Sequence, residues 1–137
     1  MEKIMKEVLA FLQENKIFYL ATTKGDEPKV RPMGFVMEYE GKIYFGVGDK
    51  KDVCQQMRAN PKVEICSTNG ETGQWVRLHG QATFDLRPEL FEEAIKVMPL
   101  LKDIYSDPDG HKFNAFYLAD AEAVFCDMLG NSRTVKL

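Results

Sequence analysis

Short strand-like runs cut apart by turn clusters limit what this chain can fold into more than any other feature. KIFYLATT, a run from about Lys29 to Tyr39, KIYFGV, KVEICS, QWVRLHGQATF, NAFYLA and EAVFCDM are rich in aromatic and β-branched residues. They are separated by KGDEP, Glu40-Gly41, TNGETG and other groups of turn formers. Seven or so short strands at hairpin-like spacing, against only three helix patterns, predict a mainly antiparallel sheet closed into a small barrel. Side chains would fill the interior of such a barrel, so ligands would bind outside it.

The helix patterns are distinct from the strands. Ile4, Val8, Phe11 and Leu12 mark one face of an N-terminal helix. Asp49 reads as the N-cap of a second helix that ends at Asn60-Pro61, and Asp85 and Pro88 open a third with Phe91, Ala94, Ile95 and Met98 on one face. Pro99 interrupts or ends that helix, and LLKDIYSDPDGHKF reads as a helical turn followed by a loop. Pro32 removes a ladder donor from its strand, which favours an edge, a bulge or an interrupted ladder. The tail GNSRTVKL would pair as an edge or lie against a partner.

Composition narrows the function classes. The 137 residues, 45% of them hydrophobic, suit a single domain spanning 1–137. A formal charge of -3 argues against a nucleic-acid binder, which needs an excess of Lys and Arg on one face. MEKIMKEVLAFLQENK lacks the plan of a signal peptide, and no run approaches the roughly 20 apolar residues of a membrane span. The expectation is a soluble, cytoplasmic protein with no membrane partner. Cys54, Cys66 and Cys126 are scattered, and only His79 and His111 could complete a metal site, so free thiols and no metal are expected.

The chemistry-bearing residues point to an anion. If the second helix starts at Asp49, Lys50 and Lys51 fall in its first turn, where unpaired N–H groups and the helix dipole already favour negative charge. Lysines there oppose the dipole, so a compensating anion is one reading and solvated surface lysines are the other. Arg31 offers a fork that takes phosphate oxygens in pairs, and it sits beside Pro32 in a strand otherwise suited to a core. An internal salt bridge would satisfy it equally well. Trp75 and Arg77 share one face of the long strand, where they would cover an aromatic anionic ligand or simply pack with the arginine snorkelling. His79, His111 and Cys54 show no nucleophile pattern. Redox chemistry would therefore need a bound cofactor.

In order and spacing, the LATT strand, PKVRPMGF, YFGVGDKK, MRANPKVEI and WVRLHGQA resemble the pyridoxamine 5'-phosphate oxidase-like family of FMN-binding split barrels. The resemblance covers nearly the whole chain. It implies a six-stranded antiparallel split β-barrel with about three flanking helices, and a homodimer with FMN in clefts at the interface. It further implies that Arg31, Pro32 and Met33 run along the flavin. Val47, Gly48, Lys50 and Lys51 would receive the phosphate, and Trp75 and Arg77 would reach the cofactor from the other subunit. Lys51 matches the key lysine of the oxidases by a local realignment, since the unshifted position is Val53. The arginine and histidine pattern of the oxidases' C-terminal substrate region has no counterpart before GNSRTVKL. The resemblance therefore points to the shorter flavin reductase and nitroimidazole-resistance relatives. The function it implies is an FMN-dependent oxidoreductase acting on a small molecule or NAD(P)H. A non-catalytic flavin-binding module, or a barrel that binds haem or deazaflavin, is the alternative.

Overall fold

The computed structural model describes residues 1–137. Its elements in chain order are α1 (Lys3–Glu14), β1 (Phe18–Lys24), β2 (Glu27–Met33), β3 (Val36–Tyr39), β4 (Lys42–Gly48) and α2 (Asp52–Ala59). They continue with β5 (Lys62–Thr68), β6 (Trp75–Asp85), α3 (Glu89–Val97), α4 (Leu100–Ile104), β7 (Phe113–Cys126) and β8 (Ser132–Lys136).

All strand pairs are antiparallel, in the order β2-β1-β5-β6-β7-β4-β3, with β8 added on β7. β2 and β3 stand at the two ends of this hydrogen-bonded path, yet only Gly34 and Phe35 separate them along the chain. The sheet is thus bent round until its ends meet at a covalent link instead of a ladder, which is what makes the barrel a split one.

Eight strands replace the seven read from the turns and the six of the family pattern. The Lys29–Tyr39 run breaks at Gly34-Phe35. NAFYLA and EAVFCDM fuse into β7, and the tail pairs as β8. The fused strand carries a bulge where Asp120 and Ala121 stand opposite the single β6 residue Gly80, between the pairs His79–Glu122 and Gln81–Ala119, with Asp120 at positive φ. A Cβ on Gly80 would lie 2.8 Å from the Ala119 carbonyl oxygen, so the backbones can approach there only without a side chain. Pro32 does lie on a terminal strand of the sheet path. Pro99 splits the third predicted helix into α3 and α4, because the residue before proline, Met98, is driven to an extended conformation.

Alternation along β1 sends Phe18, Leu20 and Thr22 inward and leaves Tyr19 exposed. The barrel core joins these strands to Val8 and Leu12 of α1 and to Val53, Cys54 and Met57 of α2. Phe18, Phe45 and Phe116 are essentially fully buried in it, each contributing roughly 1.5–3 kcal/mol. A second cluster seats Leu90, Ala94 and Leu101 of the α3–α4 pair on Met37, Tyr44 and Ala115 of the wall.

Around this second cluster the Tyr44 hydroxyl donates to Asp85 Oδ2 at 2.8 Å, and burial together with that bond pushes its pKa up to about 12. Arg87 donates to Asp85 and reaches Glu40 on the β3–β4 turn, holding the Asp85 carboxyl down at about 2. No helix packs on the outer face of β1, β2 and β5, where Tyr19 and Val30 are 46% and 68% exposed. No helix is long and apolar enough to cross a membrane.

Candidate functional site

Arg31 lies opposite Leu20 in the β1–β2 register, so its side chain enters the gap between this hairpin and α2. Its Nη1 donates to Thr22 Oγ1 at 2.7 Å and to the Leu20 carbonyl at 3.2 Å, and its Nη2 donates to Gln56 Oε1 at 2.8 Å. The Thr22 hydroxyl in turn donates to the same Gln56 oxygen at 2.6 Å. Both acceptors are nearly inaccessible, at 2% and 9% exposure. The guanidinium is therefore anchored by neutral oxygens and makes no salt bridge.

A guanidinium has five N–H donors in a fixed fork. Three are occupied by Thr22, Leu20 and Gln56, which leaves Nε–H and one Nη2–H side by side. That edge is the one that takes two oxygens of a carboxylate or phosphate. Burial lowers the Arg31 pKa from its ordinary value, and the Asp52 carboxylate acts in the opposite direction. A partly buried cation without a bonded anion is electrostatically incomplete.

The helix beside it starts later than the sequence suggests. Lys51 occupies the N-cap position and no side chain caps α2, so its first-turn N–H groups lack a protein side-chain partner. Asp49 is not the cap. Its carboxylate accepts from the Lys112 N–H at 2.8 Å while its own N–H donates to the Lys112 carbonyl at 2.9 Å, and these bonds hold it against the loop before β7. Lys50 follows that loop, donating from Nζ to the Asp109 carbonyl at 2.8 Å. Lys51 is exposed and free of ion pairs. A polar cleft of about 380 Å³ runs between the β1–β2 hairpin and α2, walled by Thr23, Lys24, Asp52, Gln55 and Gln56.

The other predicted residues fall in three places. Val47 is buried at the end of β4, and Gly48 beside it is covered by His111, whose ring would lie 3.1 Å from a Cβ there. Met33 packs half-buried against the barrel core, whereas Pro32, paired with Tyr19, points to the open outer face. Trp75 and Arg77 do share a face. Arg77 is engaged with Glu64 at 2.9 Å, and Trp75 borders a shallow cleft of about 290 Å³ with Phe11, Phe125 and Arg133. Neither is bonded to Arg31 within the chain.

No residue near Arg31 is set up as a nucleophile. Burial pushes the Cys54 and Cys66 thiols up from their ordinary values, which disfavours thiolates. No group of three or more His, Cys, Asp or Glu residues could hold a metal ion. The arrangement can grip and orient an anion, and any electron transfer would have to come from what is gripped. Thr22 and Gln56 were missed by the sequence reading, although each breaks an apolar pattern. Thr22 takes the inward position after Phe18 and Leu20, and Gln56 shares the buried face of α2 with Val53 and Met57.

The pyridoxamine 5'-phosphate oxidase family model matches residues 4–122, and the chain belongs to that family. It is similar to the crystal structure of a NimC/NimA family protein from Clostridium acetobutylicum, with 45% identity and a TM-score of 0.88 over 97% of this chain and 92% of that one. The fold is shared with a pyridoxamine 5'-phosphate oxidase-related, FMN-binding protein from Nostoc punctiforme at 14% identity and a TM-score of 0.62, covering 100% of this chain and 98% of that one. A heme binding protein from Mycobacterium smegmatis has the fold too, at 16% identity and a TM-score of 0.73 over 99% of this chain and 59% of its own length. No protein of curated function matches the chain.

Proposed function

We propose that this protein binds FMN and acts as an FMN-dependent oxidoreductase on a small molecule. The observation that carries the reading is the free Nε/Nη2 edge of Arg31, held by Thr22 and Gln56 next to the uncapped start of α2. A fork of this kind matches a phosphate monoester, and the adjacent N–H groups add dipole stabilisation. Lys51 stands beside them with no other partner, and Lys50 can join by exchanging the Asp109 carbonyl for a phosphate oxygen. Met33, Val47 and Gly48 would flank the ligand. FMN, when bound, supplies hydride and single-electron chemistry that these side chains lack. Their part is to fix its phosphate and orient its ring.

The second half of the cleft comes, in this reading, from a second copy. The open face of β1, β2, β5 and β6 carries Tyr19, Val30, Pro32, Trp75 and Arg77, and no helix covers it. A homodimer joined there would bring one protomer's Trp75 and Arg77 towards the partner's flavin, with Arg77 exchanging Glu64 for the ligand. The FMN-binding relative from Nostoc punctiforme supports a flavin over other anions.

The absorption spectrum of the purified protein, followed by titration with FMN, tests the reading. A flavin spectrum or uptake at micromolar concentration is expected. A colourless protein that takes up no FMN, or one that shows a haem Soret band, would overturn it. A second reading, a flavin-binding module without catalysis, draws on the lining of the cleft beside Arg31, where Asp52 is the one carboxylate among Thr23, Lys24, Gln55 and Gln56. Stopped-flow mixing with NADH or NADPH separates the two. Reduction within seconds and reoxidation by an acceptor mark an enzyme.

A further inference from the structure

The wall of the barrel has a seam that shares no residue with the Arg31 edge or the cleft beside it. One edge of β7 pairs with β4 through residues 113–116 and with β8 through 122–126. Between them the Ala121 carbonyl accepts from the N–H of Leu137, which also borders the cavity described next, while residues 117–120 have no strand partner on that edge. β4 begins at Lys42 but pairs with β7 only from Phe45 onward, so the two strands diverge at that point. The divergence opens a cavity of about 220 Å³ reaching the barrel core, walled by Met5, Ile43, Phe45, Leu78, Leu118 and Ala121.

A single cation stands at the mouth. The Lys42 ammonium lies 4.2 Å from the centroid of the Tyr117 ring, a contact that steadies a charge lacking an anion, and it takes part in none of the chain's salt bridges. The cavity is smaller than the roughly 300–1,000 Å³ of sites for drug-sized ligands, so its ligand must be small. Its walls are apolar and would not repay the burial of a polar body. One lysine, a point charge without the fork of arginine, matches a monoanion better than a phosphate dianion.

We propose that this seam binds a medium-chain monocarboxylate, with the alkyl tail between β4 and β7 and the carboxylate on Lys42. Burial of the tail provides the affinity, and the ion pair at the rim selects the acid over the alcohol. The site would work whether or not a flavin occupies the Arg31 cleft.

An NMR titration of the whole chain with octanoate and, separately, 1-octanol, in the presence and absence of FMN, tests this. Saturable shifts at Met5, Leu118 and Ala121 are expected with both probes. Lys42→Gln, at an exposed position that does not threaten the fold, should weaken octanoate about two- to fivefold and leave 1-octanol unchanged. Leu118→Trp, provided its spectrum stays dispersed, should abolish both. Absence of saturable shifts at these residues, an octanoate affinity indifferent to Lys42→Gln, or undiminished binding to a folded Leu118→Trp variant would each overturn the proposal.

Discussion

Replacing Arg31 by methionine separates the structural from the ligand-binding role of the guanidinium. The change removes three hydrogen bonds, at 2.7, 2.8 and 3.2 Å. Thr22 and Gln56 still hold each other at 2.6 Å, so neither is left buried without a partner. At about 0.5–1.5 kcal/mol net per bond, partly offset by the apolar methionine chain, the cofactor-free protein should lose about 1–2 kcal/mol. Binding should suffer more. Two free N–H groups on a phosphate, at about 1.5–3 kcal/mol each before partial overlap, make a loss of about 2–4 kcal/mol, or roughly 30- to 1,000-fold in Kd. Quenching of flavin fluorescence gives the affinity, and urea unfolding gives the stability. A Kd within about threefold of the parent, alongside a lowered unfolding midpoint, would refute the reasoning and leave Arg31 as a strut between β2 and α2.

Other perturbations test the frame around the site. In Gly46→Ala the new Cβ would lie 2.2 Å from Phe113 Cε2, so urea unfolding should show a loss of about 1–3 kcal/mol that Phe113→Leu partly restores. The Ser67 hydroxyl is buried without a partner, so Ser67→Ala should leave stability unchanged or raise it by up to about 1 kcal/mol, and a clear loss on denaturation would contradict its isolation. Asp85 has a depressed pKa, so its contribution is present above the ordinary value of 3.8 and disappears as the pH falls towards about 2. Acid unfolding followed by circular dichroism should be shallower over that range in Asp85→Asn, and an unchanged profile would assign the acid sensitivity elsewhere.

Much of the wall could be read from side-chain alternation and turn chemistry, because β1, β5 and β6 each bury one face and Glu40-Gly41 turns with both residues at positive φ. Pro32 pointed to an edge, a bulge or an interrupted ladder, and its strand lies at one end of the sheet path. The failures are non-local. Asp49 has the composition of a helix cap, but the N–H of Lys112, distant in sequence, offered it a better-placed donor, and α2 began without it. Lys50 turned towards Asp109 for the same reason. The Thr22–Gln56 pair shows what sequence can betray without explaining. A polar residue on an apolar face signals a buried partner, yet nothing local reveals that two such residues, on β1 and α2, converge on one arginine.

The two-residue link at Gly34-Phe35 also sets the order in which the barrel can be completed. The hairpins on either side of it, β1–β2 and β3–β4, draw on neighbouring residues and cost little loop entropy. Closing the ring needs β7 to find β4, joining Phe45 to Phe116 across more than half of the chain. Such distant pairing is slow to form. Until it does, the edge of β4 stands open beside Phe45, a strand flank of the kind that templates association between chains. A chain ended before Phe113 should hold that state permanently, with concentration-dependent light scattering that the full-length protein does not show.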